Sequence, residues 1–155
     1  FSPLITYSSP SKTADEQIFV ASEEAQLGIS ETKWSLLPPF GTILPKHMPL
    51  SAVMELVLTA QPVTAQRAYD MGFLNKVVPQ DQVLEEAMNY ARQIAENAPL
   101  AVQAFKELAL RGLDMDIPAI STMAFDKYNE ILRTEDSKEG PKAFAEKRKP
   151  VWQVK

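Results

Sequence analysis

The sequence predicts an α/β chain that is mostly α by content, with a few short strands near the start followed by an array of helices. Three observations carry that expectation. β-Branched and aromatic residues gather in short runs at 18–21 and 73–78. Prolines at 38, 39, 45 and 49 keep the stretch between Ser35 and Leu50 out of any long helix. From Leu50 onward the apolar residues fall mostly at helical spacing.

Taken in order, residues 1–17 are rich in Ser, Thr and Pro and read as a poorly ordered tail or extended arm. "IFVA" at 18–21 reads as a short buried strand, "SEEA" as a turn and "QLG" as a second extended piece. "LSAVMELVLT" places Leu50, Val53, Met54, Val57 and Leu58 on one helical face, with Ser51 as the N-cap. A short helix follows, capped by Thr64 and stopped by Gly72 in the left-handed conformation; "FLNKVV" is then a strand that Pro79 ends. Asp81 caps a helix whose apolar face includes Val83, Leu84, Met88 and Ile94, and Asn97 closes it. Pro99 opens the next helix, which runs to Gly112 and turns Val102, Phe105 and Leu108 or Ala109 toward a partner. Asp116 caps a helix over 117–132, and Asp136 or Ser137 opens a last one through Lys149. The domain reading is therefore a tail at 1–17, the last part of an α/β core at 18–80 and a helical segment at 81–155.

Composition narrows the function. A chain of 155 residues with a net charge of −4 has neither the basic excess nor the Lys/Arg runs of a nucleic-acid binder. With no Cys and one His, His47, it has no disulfide, no thiolate nucleophile and no multi-His metal site. No apolar run approaches the roughly 20 residues of a membrane span, and the start lacks the pattern of a signal peptide. The expected compartment is the cytoplasm or an organelle matrix.

The residue that raises the functional question is Glu31, in "AQLGISETKW". A lone carboxylate is most often a solvated surface acid. Enclosed by Ile29, Trp34, Leu36 and Leu37, it would instead be a proton-transfer group, with desolvation raising its pKa.

Three separated blocks settle which reading to follow. "FVASEEAQLGISETKWSLLP", "AVMELVLTAQPVTAQRAYDMGFLNKVVP" and "EDSKEGPKAFAEKRKPVW" resemble, in order and spacing, the crotonase superfamily, the enoyl-CoA hydratase and isomerase group. The likeness runs over residues 18–152. It implies a spiral of ββα units, of which 18–80 would be the last part, followed by a helical segment that builds trimers, often paired into hexamers. It also implies an acyl-CoA thioester as substrate, with coenzyme A entering as part of that substrate, no separate cofactor and no metal. Glu31 falls where the hydratases carry their second glutamate and where the isomerases keep a single proton shuttle. Phe144 and Lys147 match an aromatic and a lysine that approach the CoA of a neighbouring site, the ring for adenine and the ammonium for a phosphate. Trp34 and Pro38 lie on the segment that passes close to the acyl chain.

The resemblance also marks departures. The chain reads Pro38, Pro39, Phe40, Gly41 where many members have a glycine run, and Ser35 where a glycine often follows the Trp. Nothing in residues 1–17 matches the two glycine-containing motifs whose backbone N–H groups hold the thioester oxygen, each donor being worth roughly 3 to 4 kcal/mol. The chain thus reads as a C-terminal portion, inactive alone, that assembles as a trimer or hexamer or with a complementary N-terminal crotonase half. Two other readings stand beside this one: a non-catalytic oligomerisation or acyl-CoA-binding module, and a regulatory partner of full-length members. The "LPKHMPLSAVMELVLT" stretch resembles a subgroup mixing hydratases with carnitinyl-CoA dehydratase-like members, so the reaction type stays open within the family.

Overall fold

The computed structural model describes Leu4–Ile5, residues 18–37 and residues 44–155. The chain divides into two compact units, Phe1–Asn89 and Tyr90–Lys155.

In the first unit, β1 (Leu4–Ile5) runs parallel to β3 (Gln26–Leu27), which pairs antiparallel with β4 (Val63–Thr64). Separately, β2 (Val20–Ser22) pairs in parallel with β5 (Lys76–Val78), Ala21 opposite Val77. A parallel pair needs a crossover, and the chain supplies one through α1 (Leu50–Thr59) and α2 (Ala65–Asp70). Asn75 sets the register of the pair. Its backbone N–H donates to the Phe19 carbonyl, and its side-chain oxygen accepts from Phe19 N–H, both at 2.8 Å. The rings of Phe19 and Phe73 stack beside them, centroids 5.1 Å apart.

Both strands are shorter than the sequence suggests. Phe73 and Leu74 do not join β5, because Gly72 (φ 81) closes α2 with a left-handed cap in which Phe73 N–H returns to the Ala68 carbonyl. Thr64 caps α2 as expected, its hydroxyl accepting from Arg67 N–H at 3.2 Å. Ser51 does not cap α1. The Pro49 carbonyl accepts from Ala52 and Val53, so the helix starts at Leu50 and Ser51 lies inside its first turn. The buried side of α1 is also rotated from the expected one: Ala52, Val53 and Leu56 enter the core, while Leu50, Met54 and Leu58 are exposed. Leu27, Ile29, Leu44, Leu56, Ala68 and Phe73 are central to that core.

The division between the units falls inside α3 (Val83–Glu96). Asp81 sits in a 3-10 turn over Gln80–Gln82 rather than flanking the helix, which corrects its assignment as the cap. Asn97 does close α3, its side-chain amide donating to the Gln93 carbonyl at 3.0 Å. The second unit continues with α4 (Pro99–Gly112), α5 (Ile117–Leu132) and α6 (Asp136–Ala145). Asp116 caps α5 by accepting from Ala119 N–H at 2.8 Å. Helices α4 and α5 approach closely at Gly112, where a β-carbon would come within 3.3 Å of Ile120. No residue of α3, α4 or α5 is fully buried, and Phe105 is 76% exposed. No helix among the described residues is long and apolar enough to cross a membrane.

Candidate functional site

Glu31 opens a 3-10 turn, Glu31–Trp34, a few residues beyond the end of β3. Ile29, just before it, is buried and anchors the approach. Two contacts hold the turn. Leu36 N–H donates to the Glu31 carbonyl at 3.1 Å, and the Thr32 hydroxyl donates to the Val57 carbonyl of α1 at 2.8 Å. Ser35 then reverses the chain with φ 58, a conformation that glycine enters without steric cost. The Glu31 side chain is half-buried. Its carboxylate makes no hydrogen bond or ion pair to any described residue.

The expected apolar enclosure is absent among the described residues. Ile29 is inside, but Trp34 is 72% and Leu37 83% exposed, and Leu36 is exposed as well. Pro38 and the Pro39–Phe40–Gly41 stretch lie outside the described residues.

Phe144 and Lys147 share a second turn, in the second unit. Helix α6 ends at Ala145, four residues short of the expected Lys149. It closes with Lys147 N–H donating to the Phe144 carbonyl at 3.2 Å and Arg148 N–H to the Ala143 carbonyl at 3.0 Å. That is the same cap as at Gly72, with Lys147 (φ 53) in the left-handed position. The Phe144 ring is 87% exposed. The Lys147 ammonium is paired with no described residue.

Around this turn runs a network that sequence reasoning missed. The Arg148 guanidinium forms a two-pronged pair with Glu139, one prong at 2.9 Å, and donates to Glu146 at 2.6 Å. Glu139 also accepts from Val151 N–H at 2.8 Å. The hydrogen bonds from Arg148 and then Val151 hold the Glu139 carboxyl down at about 2. Arg148 is correspondingly raised, first by its hydrogen bond to Glu139. Buried Asp136 accepts from Gln153 and Val154 N–H at 2.7 and 3.0 Å, and the Trp152 indole donates to the Glu96 carbonyl at 2.9 Å. The chain reversal at Lys147 brings Arg148 back onto Glu139, nine residues earlier. The available signal was a carboxylate one turn into α6 followed by a cation beyond its end.

Among the described residues no group of three or more His, Asp or Glu side chains is placed to hold a metal ion. His47 lies in a turn, its N–H donating to the Leu44 carbonyl at 2.8 Å.

Comparison with known proteins gives consistent matches. A family model described as enoyl-CoA hydratase/isomerase matches residues 13–155. Carnitinyl-CoA dehydratase of Salmonella typhi is 37% identical over 139 residues, covering 86% of this chain and 53% of that protein. The chain thus spans about half the length of the curated relatives it matches. Among solved structures, an enoyl-CoA hydratase from Bacillus anthracis superposes with a TM-score of 0.87 at 32% identity, over 92% of this chain and 56% of that one. An enoyl-CoA hydratase/isomerase from Mycobacterium paratuberculosis gives 0.85 at 32% identity, over 92% and 57%.

Proposed function

The chain belongs to the enoyl-CoA hydratase/isomerase family, and on that premise we propose that it acts on an acyl-CoA thioester, with Glu31 moving the proton at the carbon beside the thioester carbonyl. The observation that carries this reading is the half-buried Glu31 carboxylate. It has no partner among the described residues, and its turn is tied to α1 through Thr32. A carboxyl group suits the task because it cycles between charged and neutral forms. In hydration, the neutral acid gives its proton to Cα as water oxygen adds at Cβ, and the added oxygen gives one of its two protons back to the Glu31 carboxylate, which restores the acid. In isomerisation, the carboxylate takes a proton from one carbon and returns it to another. The segment that carries Trp34 serves the acyl side, while Phe144 and Lys147 serve the nucleotide end of the coenzyme A held at a neighbouring site.

Both reactions place negative charge on the thioester oxygen, which needs backbone donors aimed at it. The motifs that supply those donors in the family have no counterpart in these 155 residues. The polypeptide by itself therefore binds acyl-CoA and turns it over poorly, whether alone or as a trimer or hexamer, and full activity needs a complementary half that supplies those donors. Within the family the chain is a hydratase, an isomerase or, as the Salmonella relatives' name suggests, a dehydratase of a hydroxylated acyl-CoA. A second reading, a non-catalytic oligomerisation or acyl-CoA-binding module, is favoured by the exposed apolar side chains of α4 and α5. With the purified chain and crotonyl-CoA, binding with little hydration is expected. Robust hydration would overturn the claim of inactivity, and an oligomer that ignores CoA would favour the second reading.

A further inference from the structure

Two caps in this chain have the same backbone hydrogen bonds and different residues in the left-handed position. At the end of α2 that residue is Gly72 (φ 81); at the end of α6 it is Lys147 (φ 53). Glycine enters this region freely, whereas a side chain with a β-carbon meets steric resistance there. A residue held against its own preference points to a use for its side chain.

The surroundings of Lys147 supply both the restraint and the use. On either side of it, Glu146 and Arg148 are engaged with each other, and Arg148 is clamped to Glu139. Glu139 also holds Val151 N–H, so one carboxylate joins the helix, the reversed turn and the departing chain. Asp136, one turn earlier in α6, fixes the chain again at Gln153 and Val154. Every charged neighbour of Lys147 in the Glu146–Arg148 turn is therefore neutralised by a partner. What the turn leaves exposed, and unpaired among the described residues, is the Lys147 ammonium and the Phe144 ring, three residues apart.

We propose that Glu139 and Arg148 are positioning residues that lock the left-handed Lys147 turn, so that the Lys147 ammonium and the Phe144 ring are presented together to a phosphate attached to an aromatic heterocycle. This inference rests on the proposed coenzyme A contact of Phe144 and Lys147. It adds that the contact is pre-organised by an ion pair whose members do not touch the ligand. A pre-set cation loses less freedom on binding than a mobile lysine.

The test is calorimetric titration of coenzyme A into the full chain and its variants, with amide exchange of residues 147–151 measured on the same samples. Lys147→Ala is expected to weaken binding about tenfold, and Glu139→Gln to weaken it by a similar factor while speeding exchange at Val151. Because Glu139 acts through Lys147, the double variant should bind no more weakly than Lys147→Ala alone. Lys147→Gly leaves the ion pair intact, which covers the case of a Glu139→Gln chain that does not fold. It should raise the melting temperature by roughly 2 to 4 °C while losing the same affinity. If Glu139→Gln loosens the turn but binds as the wild type does, the positioning role is wrong and the coenzyme A contact stands. A wild-type chain that does not take coenzyme A, or a Lys147→Ala chain that binds equally well, overturns the contact itself and the inference with it.

Discussion

The two units treat apolar and charged side chains in opposite ways. Among the described residues of Phe1–Asn89, a contiguous core forms around Leu56, and the candidate catalytic carboxylate, Glu31, is left without a partner. In Tyr90–Lys155 only Ala143 and Asp136 are fully buried, apolar side chains such as Phe105 and Phe125 stay exposed, and Glu139 is saturated with donors. The difference teaches what each carboxylate can do. One that accepts two guanidinium prongs and a backbone N–H is held as an anion and serves structure. For one with none of these among the described residues, whatever surrounds it in the working assembly decides its chemistry. It also teaches that stability in the first unit rests on packing, while the end of the second unit is held chiefly by polar ties.

The sharpest way to test that contrast is to attack each unit through its own source of stability. Leu56 is wholly buried, so Leu56→Ala should cost about 3 kcal/mol, read from urea unfolding. A loss below about 1 kcal/mol would mean that the first unit has no closed core. Asp136→Asn should cost about 2 kcal/mol in the second unit, because the new amide sets a donor against Gln153 or Val154 N–H.

Acid should separate the units further. With its carboxyl lowered to about 2, Glu139 contributes stability that is fully present above the ordinary value of 4.5 and lost as pH falls from there toward 2. The urea midpoints of wild type and Glu139→Gln should differ by a constant amount above pH 5 and converge near pH 2. A difference that persisted at pH 2 would show that the carboxylate's charge is not what holds the turn.

The smallest expected effect is at the exposed apolar side chains. Phe105 lines, with Ala101, Leu108, Tyr128 and Ile131, an apolar groove of about 300 Å³ on α4 and α5. If that groove faces water in the dilute chain, Phe105→Ser should change stability by no more than about 0.5 kcal/mol. A larger loss that depends on protein concentration would mean that a second copy covers it.

How far these features were legible from sequence follows from their range. The caps at Thr64 and Asp116, the stop at Gly72 and the helix bounds at 99–112 and 117–132 all depend on residues within one turn, and the sequence carries them. Ser51 and Asp81 were misassigned because a neighbouring element takes their place, the Pro49 carbonyl in one case and a 3-10 turn in the other. The inward face of α1 was misread because small residues do the packing: Ala52 is buried while the bulkier Leu50 and Met54 stay outside. At the site, the family-like blocks single out Glu31, but the surroundings of its side chain were not legible. Burial of Trp34, Leu36 and Leu37 depends on what packs over them, which no local pattern specifies. The Glu139–Arg148 pair was hidden for the same reason, since it exists only after the chain reverses at Lys147.

The central claim is that Glu31 moves the proton at Cα of an acyl-CoA thioester. The most direct measurement is deuterium uptake at Cα of butyryl-CoA in heavy water, followed by NMR for wild type and Glu31→Gln. The account predicts slow exchange in the wild type that falls at least about 100-fold in the variant. Equal exchange in the two proteins would contradict it.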